Sequence, residues 1–219
     1  MTTTGGGVHK VRKGRGRRFL RLIGSTLDPR AWAHFVKVMN YYNYTHVQEL
    51  RKVRLGPRVA VSPTVGFANG HNVEIGARTT LGADCRLWAG PERARIVIGP
   101  DVLFAPDVMV TATNYRYDDG APVTAQAMDE AEVEIGADCW IGRGAMILPG
   151  AKLGEGCIVA AHAVVRGAFA PYSVVAGVPA RVVGQRRRPD APEDDPATDD
   201  PVTSGPATGA PAHGGAAPD

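Results

Sequence analysis

The chain has 219 residues, 44% apolar and 21% charged, with 27 Gly and 17 Pro but only 6% aromatics. That length fits one globular domain with appendages, and the composition speaks against a helical bundle and for many tight turns. No apolar run nears the roughly 20 residues of a membrane span, and the start of the chain lacks a secretory leader's apolar stretch, so the expected place is the cytoplasm.

The formal net charge of +3 is unevenly laid out. Residues 1–30 hold eight Lys/Arg against Asp28 alone, and residues 189–219 hold seven Asp/Glu with no Lys or Arg. The two ends nearly cancel, so the body lacks the basic surface of a nucleic-acid binder, and no nucleic-acid partner is expected.

In chain order, residues 1–18 intersperse glycines with Lys10, Arg12, Lys13, Arg15, Arg17 and Arg18 and read as a basic flexible tail. Together with Arg21, and interleaved with Phe19, Leu20, Leu22 and Ile23, this stretch has the character of a weak peripheral contact with anionic lipid, as well as that of a plain solvated tail. Residues 19–54 read as a short helical cap. Asp28 and Pro29 supply an N-cap and a first-turn proline, and Trp32, Phe35, Val36 and Met39 follow at i, i+3, i+4 and i+7. Tyr41, Tyr42 and Tyr44 end that helix, where they either pack or line a site.

From Leu55 the period changes to six. Ile135, Ile141, Ile147, Leu153, Val159 and Val165 keep the beat, as do Ile75, Leu81, Leu87 and Ile98, Phe104, Val110, with a weaker opening at Leu55, Val61 and Phe67. A small residue follows most of them, and two places before stands another small or apolar residue, a slot that contains Cys85, Cys139 and Cys157. Three cysteines without a CxxC pair, or His at zinc spacing, argue against disulfides and structural zinc and for small buried hydrophobes.

A period of six suits short strands joined by turns, three turns to a coil, so residues 18 apart fall in neighbouring coils. Cys139 and Cys157 are therefore predicted to stack inside. Residues 55–168 read as an all-β solenoid, a parallel β-helix of about five coils. The beat is interrupted by two extra residues before Ile75, five within Gly90 to Arg95, and nineteen between Val110 and Ile135, where loop 111–132 is inserted. Long loops on a rigid scaffold tend to carry function. Residues 169–188 form a C-terminal segment, and residues 189–219, rich in Pro, Ala, Gly and Asp, read as a disordered acidic tail.

The hexads, the string from Trp140-Ile141-Gly142 through Leu148-Pro149-Gly150, and the ending Ala176-Gly177-Val178-Pro179-Ala180-Arg181 resemble the hexapeptide-repeat acyltransferase family. Its maltose, galactoside and polysaccharide O-acetyltransferase branches are the nearest in pattern. The resemblance covers roughly residues 55–185. It implies a left-handed β-helix, a homotrimer with clefts between subunits, acetyl-CoA as acyl-donor cosubstrate, no metal, and a saccharide or related hydroxyl acceptor. In the family a loop His is the general base. Here that position falls on Asn114 or Tyr115, neither a good base near neutral pH. His162, in the stretch along which CoA runs in the family, and Asp118 with Asp119 are the alternatives.

On the donor side the resemblance assigns Trp140 to flank the pantetheine arm and places the backbone of Gly142 and Arg143 near the thioester. Ala160 and Ala161 hydrogen-bond the pantetheine, and Arg166, Arg181 and Arg186 meet the CoA phosphates, with Arg187 and Arg188 behind them. Trp88 offers a stacking face to an acceptor sugar or a subunit contact, and Gly120 to Val123 shape the acceptor pocket. The missing loop His leaves a second reading open, a silent CoA- or glycan-binding trimeric scaffold. A metal-dependent hydratase of the related type is disfavoured by the scarcity of His around the prism.

Overall fold

The structure, a computed structural model, describes residues 15–188; the flexible-tail readings of 1–14 and 189–219 lie outside the described residues. The chain divides into two compact units at Tyr44 and Thr45.

The first unit holds helix α1 (Arg15–Leu27) and helix α2 (Pro29–Tyr42). The expected helix is α2, which Asp28 caps by accepting a hydrogen bond from Arg30 N at 2.9 Å. Helix α1 starts inside the stretch read as tail. Gly16 and Gly24 weaken its local helix propensity, yet Phe19, Leu22, Ile23 and Leu27 follow helical spacing along one side. Trp32 Nε1 donates to Thr26 O at 2.7 Å and ties the start of α2 to the end of α1.

The second unit starts at Thr45, within a π-helical turn (Asn43–Val47), and continues through the short helix α3 (Gln48–Leu50). His46 Nδ1 lies 2.6 Å from Val65 O, and Glu49 Oε2 accepts from Gly70 N at 2.7 Å.

The solenoid is a left-handed parallel β-helix with three faces. The first face stacks Arg54–Leu55, Val73–Ile75, Ile96–Ile98, Val133–Ile135, Lys152–Leu153 and Ala168–Phe169. The second stacks Ala60–Val61, Thr80–Leu81, Leu103–Phe104, Trp140–Ile141, Ile158–Val159 and Ser173–Gly177, with Ala180–Gln185 added antiparallel. The third stacks Gly66–Ala68, Arg86–Trp88, Met109–Thr111, Met146–Ile147 and Val164–Val165.

Five coils are thus complete, and a sixth is begun by residues 168–177, all but the first of which lie in the segment read as following the solenoid. The spacing hides this last coil because Phe169 follows Val165 by four residues; register nonetheless sets Phe169 on Leu153 and Val175 on Val159.

Each position of the hexad has a physical reason. The aliphatic residue points inward and is buried along almost every column, each contributing about 1.5–3 kcal/mol by removal from water. The next residue is small because the following coil crosses over it. A Cβ on Gly136 would meet Glu155 N at 2.6 Å, and one on Gly142 would meet Ala161 N at 2.6 Å. Two residues further on, the chain turns through the left-handed region, where Asp84, Asp101, Asp107, Asp138, Gly144, Gly150 and Gly156 stand. His162 and Tyr172 take the same conformation at φ 58° and 63°.

The cysteines behave as expected from the hexad. Cys139 and Cys157 are buried, and their strands pair with Trp140 opposite Ile158, so the two thiols stack in neighbouring coils. The hydrogen bond to Cys157 and burial push the Cys139 thiol far up. Burial likewise raises Cys85, while the hydrogen bond from Cys139 draws the buried Cys157 thiol down to about 7. No described helix is long and apolar enough to cross a membrane.

Candidate active site

All three interruptions of the beat emerge at one corner, where the third face turns into the first. The longest forms a two-stranded arm. Thr113–Tyr115 pairs antiparallel with Met128–Glu130, setting Asn114 opposite Asp129 and Tyr115 opposite Met128. Asn114, Tyr115 and Asp118 are exposed on it.

The tip is stapled from inside. Gln126, only 7% exposed, donates from Nε2 to Ala121 O at 2.6 Å, and Asp119 Oδ1 accepts from Ala121 N at 2.9 Å. Asp119 is therefore occupied in shaping the turn. Arg116 pairs with Asp129 at 2.6 Å, which raises the guanidinium pKa.

At the root of the arm the Glu130 carboxylate accepts the backbone N–H groups of Glu92, Arg93 and Ala94 at 3.1, 2.9 and 2.8 Å. Those N–H groups hold its pKa below the usual carboxylate range. Gly90 is required beside it, since a Cβ there would stand 2.6 Å from Glu130 Oε2. One carboxylate thus joins the two larger insertions. Sequence reasoning missed Glu130 because its partners lie 36–38 residues earlier and leave no local signal. Trp88, half exposed and opposite Thr111, stands at the same edge.

The donor-side residues gather elsewhere, around the corner between the second and third faces. Trp140 is 52% exposed in the outer column of the second face, between Leu103 and Ile158. Beyond it come Gly142, Arg143 and Gly144, and one coil on, Ala160, Ala161 and His162. His162 N donates to Arg143 O at 2.9 Å, and its exposed ring lies over Gly144, where a Cβ would stand 2.5 Å from Nδ1. That corner needs glycine for two reasons, its positive φ of 66° and the imidazole above it.

Gly142 is buried, its N–H donates to Val159 O and its carbonyl accepts from Ala145 N, within the packing of the coils. Arg143 is exposed but ion-paired to Asp107 at 2.9 Å. Ala160 is likewise held, N–H to Val175 O, while Ala161 is exposed at the turn with its backbone outside the ladder.

The remaining arginines separate. Arg186 Nη1 reaches Asp138 Oδ2 at 2.8 Å and Asp138 O at 3.0 Å, at the corner between the first and second faces. It fastens the segment that follows the last strand to the fourth coil. Arg188 lies over the Tyr172 ring at 5.9 Å. Arg166 is exposed past Val165, on the edge that carries the arm. Arg181 is exposed on the last strand of the second face, opposite Ala176. That strand is three steps from the Trp140 strand, about 14 Å at a strand spacing of ~4.8 Å.

The arm and the Arg143–His162 corner therefore occupy opposite edges of the third face. Among the described residues no group of three His, Cys, Asp or Glu side chains is placed to hold a metal ion.

Comparison with known proteins bears on the same segment. The bacterial transferase hexapeptide (six repeats) model matches residues 132–167, the stretch that contains Trp140 and His162. A probable acetyltransferase of Mycobacterium tuberculosis is 41% identical over 93 residues, 42% of this chain and 31% of that protein, so the match spans under a third of its length. The galactoside O-acetyltransferase of Escherichia coli is 28% identical over 160 residues, 67% of this chain and 74% of the relative. Among solved structures, a galactoside acetyltransferase in complex with coenzyme A superimposes with a TM-score of 0.59 at 26% identity, covering 81% of this chain and 86% of that one.

Proposed function

We propose that this hexapeptide-repeat chain is an acetyl-CoA-dependent O-acetyltransferase that acts in the cytoplasm on a hydroxyl of a saccharide or related small molecule. The observation that carries it is the exposed corner of the fourth and fifth coils, inside the matched segment, where Trp140, Ala161 and His162 stand open in front of the Arg181 strand.

The residues present fit such a donor. Trp140 offers an apolar flank to an extended arm, Ala161 a backbone outside the coil ladder, and Arg181 a charge about 14 Å further along the face at the ~4.8 Å strand spacing. The acetyl thioester supplies an activated acyl group. His162 takes the proton of the acceptor hydroxyl and later returns it to the leaving sulfur, the acid–base role that imidazole most often fills. Asn114, Tyr115 and Asp118 on the arm orient the acceptor.

Within one chain the arm and that corner lie on opposite edges of the third face, so the reading includes a homotrimer in which one subunit's arm meets the next subunit's corner. The absence of His from loop 111–132 favours, as the second reading, a trimeric scaffold that binds CoA or a glycan without transfer.

Calorimetric titration with acetyl-CoA and CoA, beside an Arg181→Ala variant and a transfer assay over a sugar panel, tests the proposal. Micromolar binding weakened about tenfold to a hundredfold by the variant, as expected for a lost charged hydrogen bond, establishes the donor site. Binding without transfer to any acceptor favours a CoA-binding scaffold, and absence of binding removes the transferase reading in favour of a scaffold without the donor.

A further inference from the structure

Residues 1–48 contain nine Lys/Arg and a single acid, Asp28. Within that region α1 carries Arg15, Arg17, Arg18 and Arg21 and no carboxylate over its 13 residues. At 100° per residue, Phe19, Leu22, Ile23 and Leu27 fall on one side, and Arg17 and Arg21 fall opposite Phe19. None of that apolar side is covered: Phe19 is 62% exposed, Leu22 63% and Leu27 74%.

Helix α2 repeats the feature. Trp32, Phe35, Val36 and Met39 form an open stripe, no residue of α2 is buried, and Tyr41 and Tyr42 stand half exposed at its end. The hydrogen bond from Trp32 to Thr26 O joins the two stripes at the α1–α2 turn. A soluble surface rarely leaves so many large apolar side chains together, and such a patch marks a docking site.

We propose that α1 and α2 form a docking surface for an anionic lipid bilayer, with the apolar stripes entering the headgroup boundary and the arginines meeting lipid phosphates. Charge selects this occupant. A second copy would bring two strongly basic segments face to face, whereas an anionic leaflet complements them. The residue types match as well, since apolar side chains opposite arginines, flanked by Trp and Tyr, are what an interfacial helix presents. The inference is independent of the acetyl-transfer reading, because none of these residues belongs to the candidate active site.

The test is co-sedimentation of the full chain with phosphatidylcholine vesicles, alone or with phosphatidylglycerol at about a third of the lipid, a composition chosen to give the negative surface potential in question. Light scattering without lipid accompanies it. The expected result is binding to the anionic vesicles, little to the neutral ones, and weakening as salt is raised. The pair Arg17→Glu and Arg21→Glu, which keeps good helix formers, should lose at least about thirtyfold in affinity, given the contribution of each arginine near such a surface. Phe19→Ser with Leu22→Ser should lose binding through the apolar side. Wild-type protein that stays in the supernatant, or a charge-reversed variant that sediments equally, overturns the proposal. A lipid-free mass that falls in the serine variant, together with no vesicle binding, also overturns it and assigns the face to a second copy.

Discussion

Gly144→Ala separates the structural role of a coil corner from the chemistry assigned to the ring above it. Gly144 has φ 66°, and its absent Cβ would stand 2.5 Å from His162 Nδ1 and 2.6 Å from Cε1. The backbone contribution is that of placing an L-residue in the left-handed region, about 1–2 kcal/mol. The steric contribution to stability is small, because the imidazole is exposed and swings aside. For a chain of this size the melting temperature should fall by about 2–8 °C.

The same substitution at Gly156 is the control. Gly156 has φ 70°, and its Cβ would stand 2.5 Å from the Tyr172 ring, on a different corner. The two variants should lose similar stability, but only Gly144→Ala moves His162. A displaced general base should lower kcat/KM for transfer by at least about tenfold, part of the 10²–10⁴ that such a base contributes. The assay is acetyl-CoA-dependent thiol release with a saccharide acceptor, run well below both melting temperatures. Equal activity of the two variants would refute the role given to His162. An unchanged melting temperature in both would refute the account of the corners.

Two further outcomes follow from the arm and the core. Glu130→Ala should loosen both insertions at once and speed proteolysis of residues 111–132, with Glu130→Gln the milder change. In the wild type the folded-state pKa of Glu130 lies below its unfolded value, so the tether is present at neutral pH and is lost as pH falls through and below the ordinary glutamate range. Proteolysis that is independent of pH through that window would show that the tether does not hold the arm. Ile147→Ala empties a fully buried site on the third face and should cost about 2–5 kcal/mol in denaturant unfolding; a loss under 1 kcal/mol would mean the column closes around the gap.

The beat of six was legible in the sequence because every hexad is built by the same local rule. An inward aliphatic, a small residue under the next coil and a left-handed corner recur at Ile135, Gly136 and Asp138 and again at Ile141, Gly142 and Gly144. The Cys139–Cys157 stack follows from that rule alone, since 18 residues return the chain to the same point of the prism. The break in the beat after Val110 likewise located the arm. The sixth coil was not legible, because irregular spacing after Val165 removed the signal although the register persisted.

What only the tertiary structure decided was which side chains meet across unequal intervals. Glu130 finds three N–H groups 36–38 residues back, and Arg186 finds Asp138 across 48 residues. Those pairs set where the arm is anchored and tie Arg186 to the fourth coil, while Arg181 stays exposed on the last strand with its guanidinium donating to Ala180 O. The reason is physical: a periodic strand pattern depends on each residue's own burial, whereas an ion pair or a carboxylate tether depends on which loops the completed coils bring side by side.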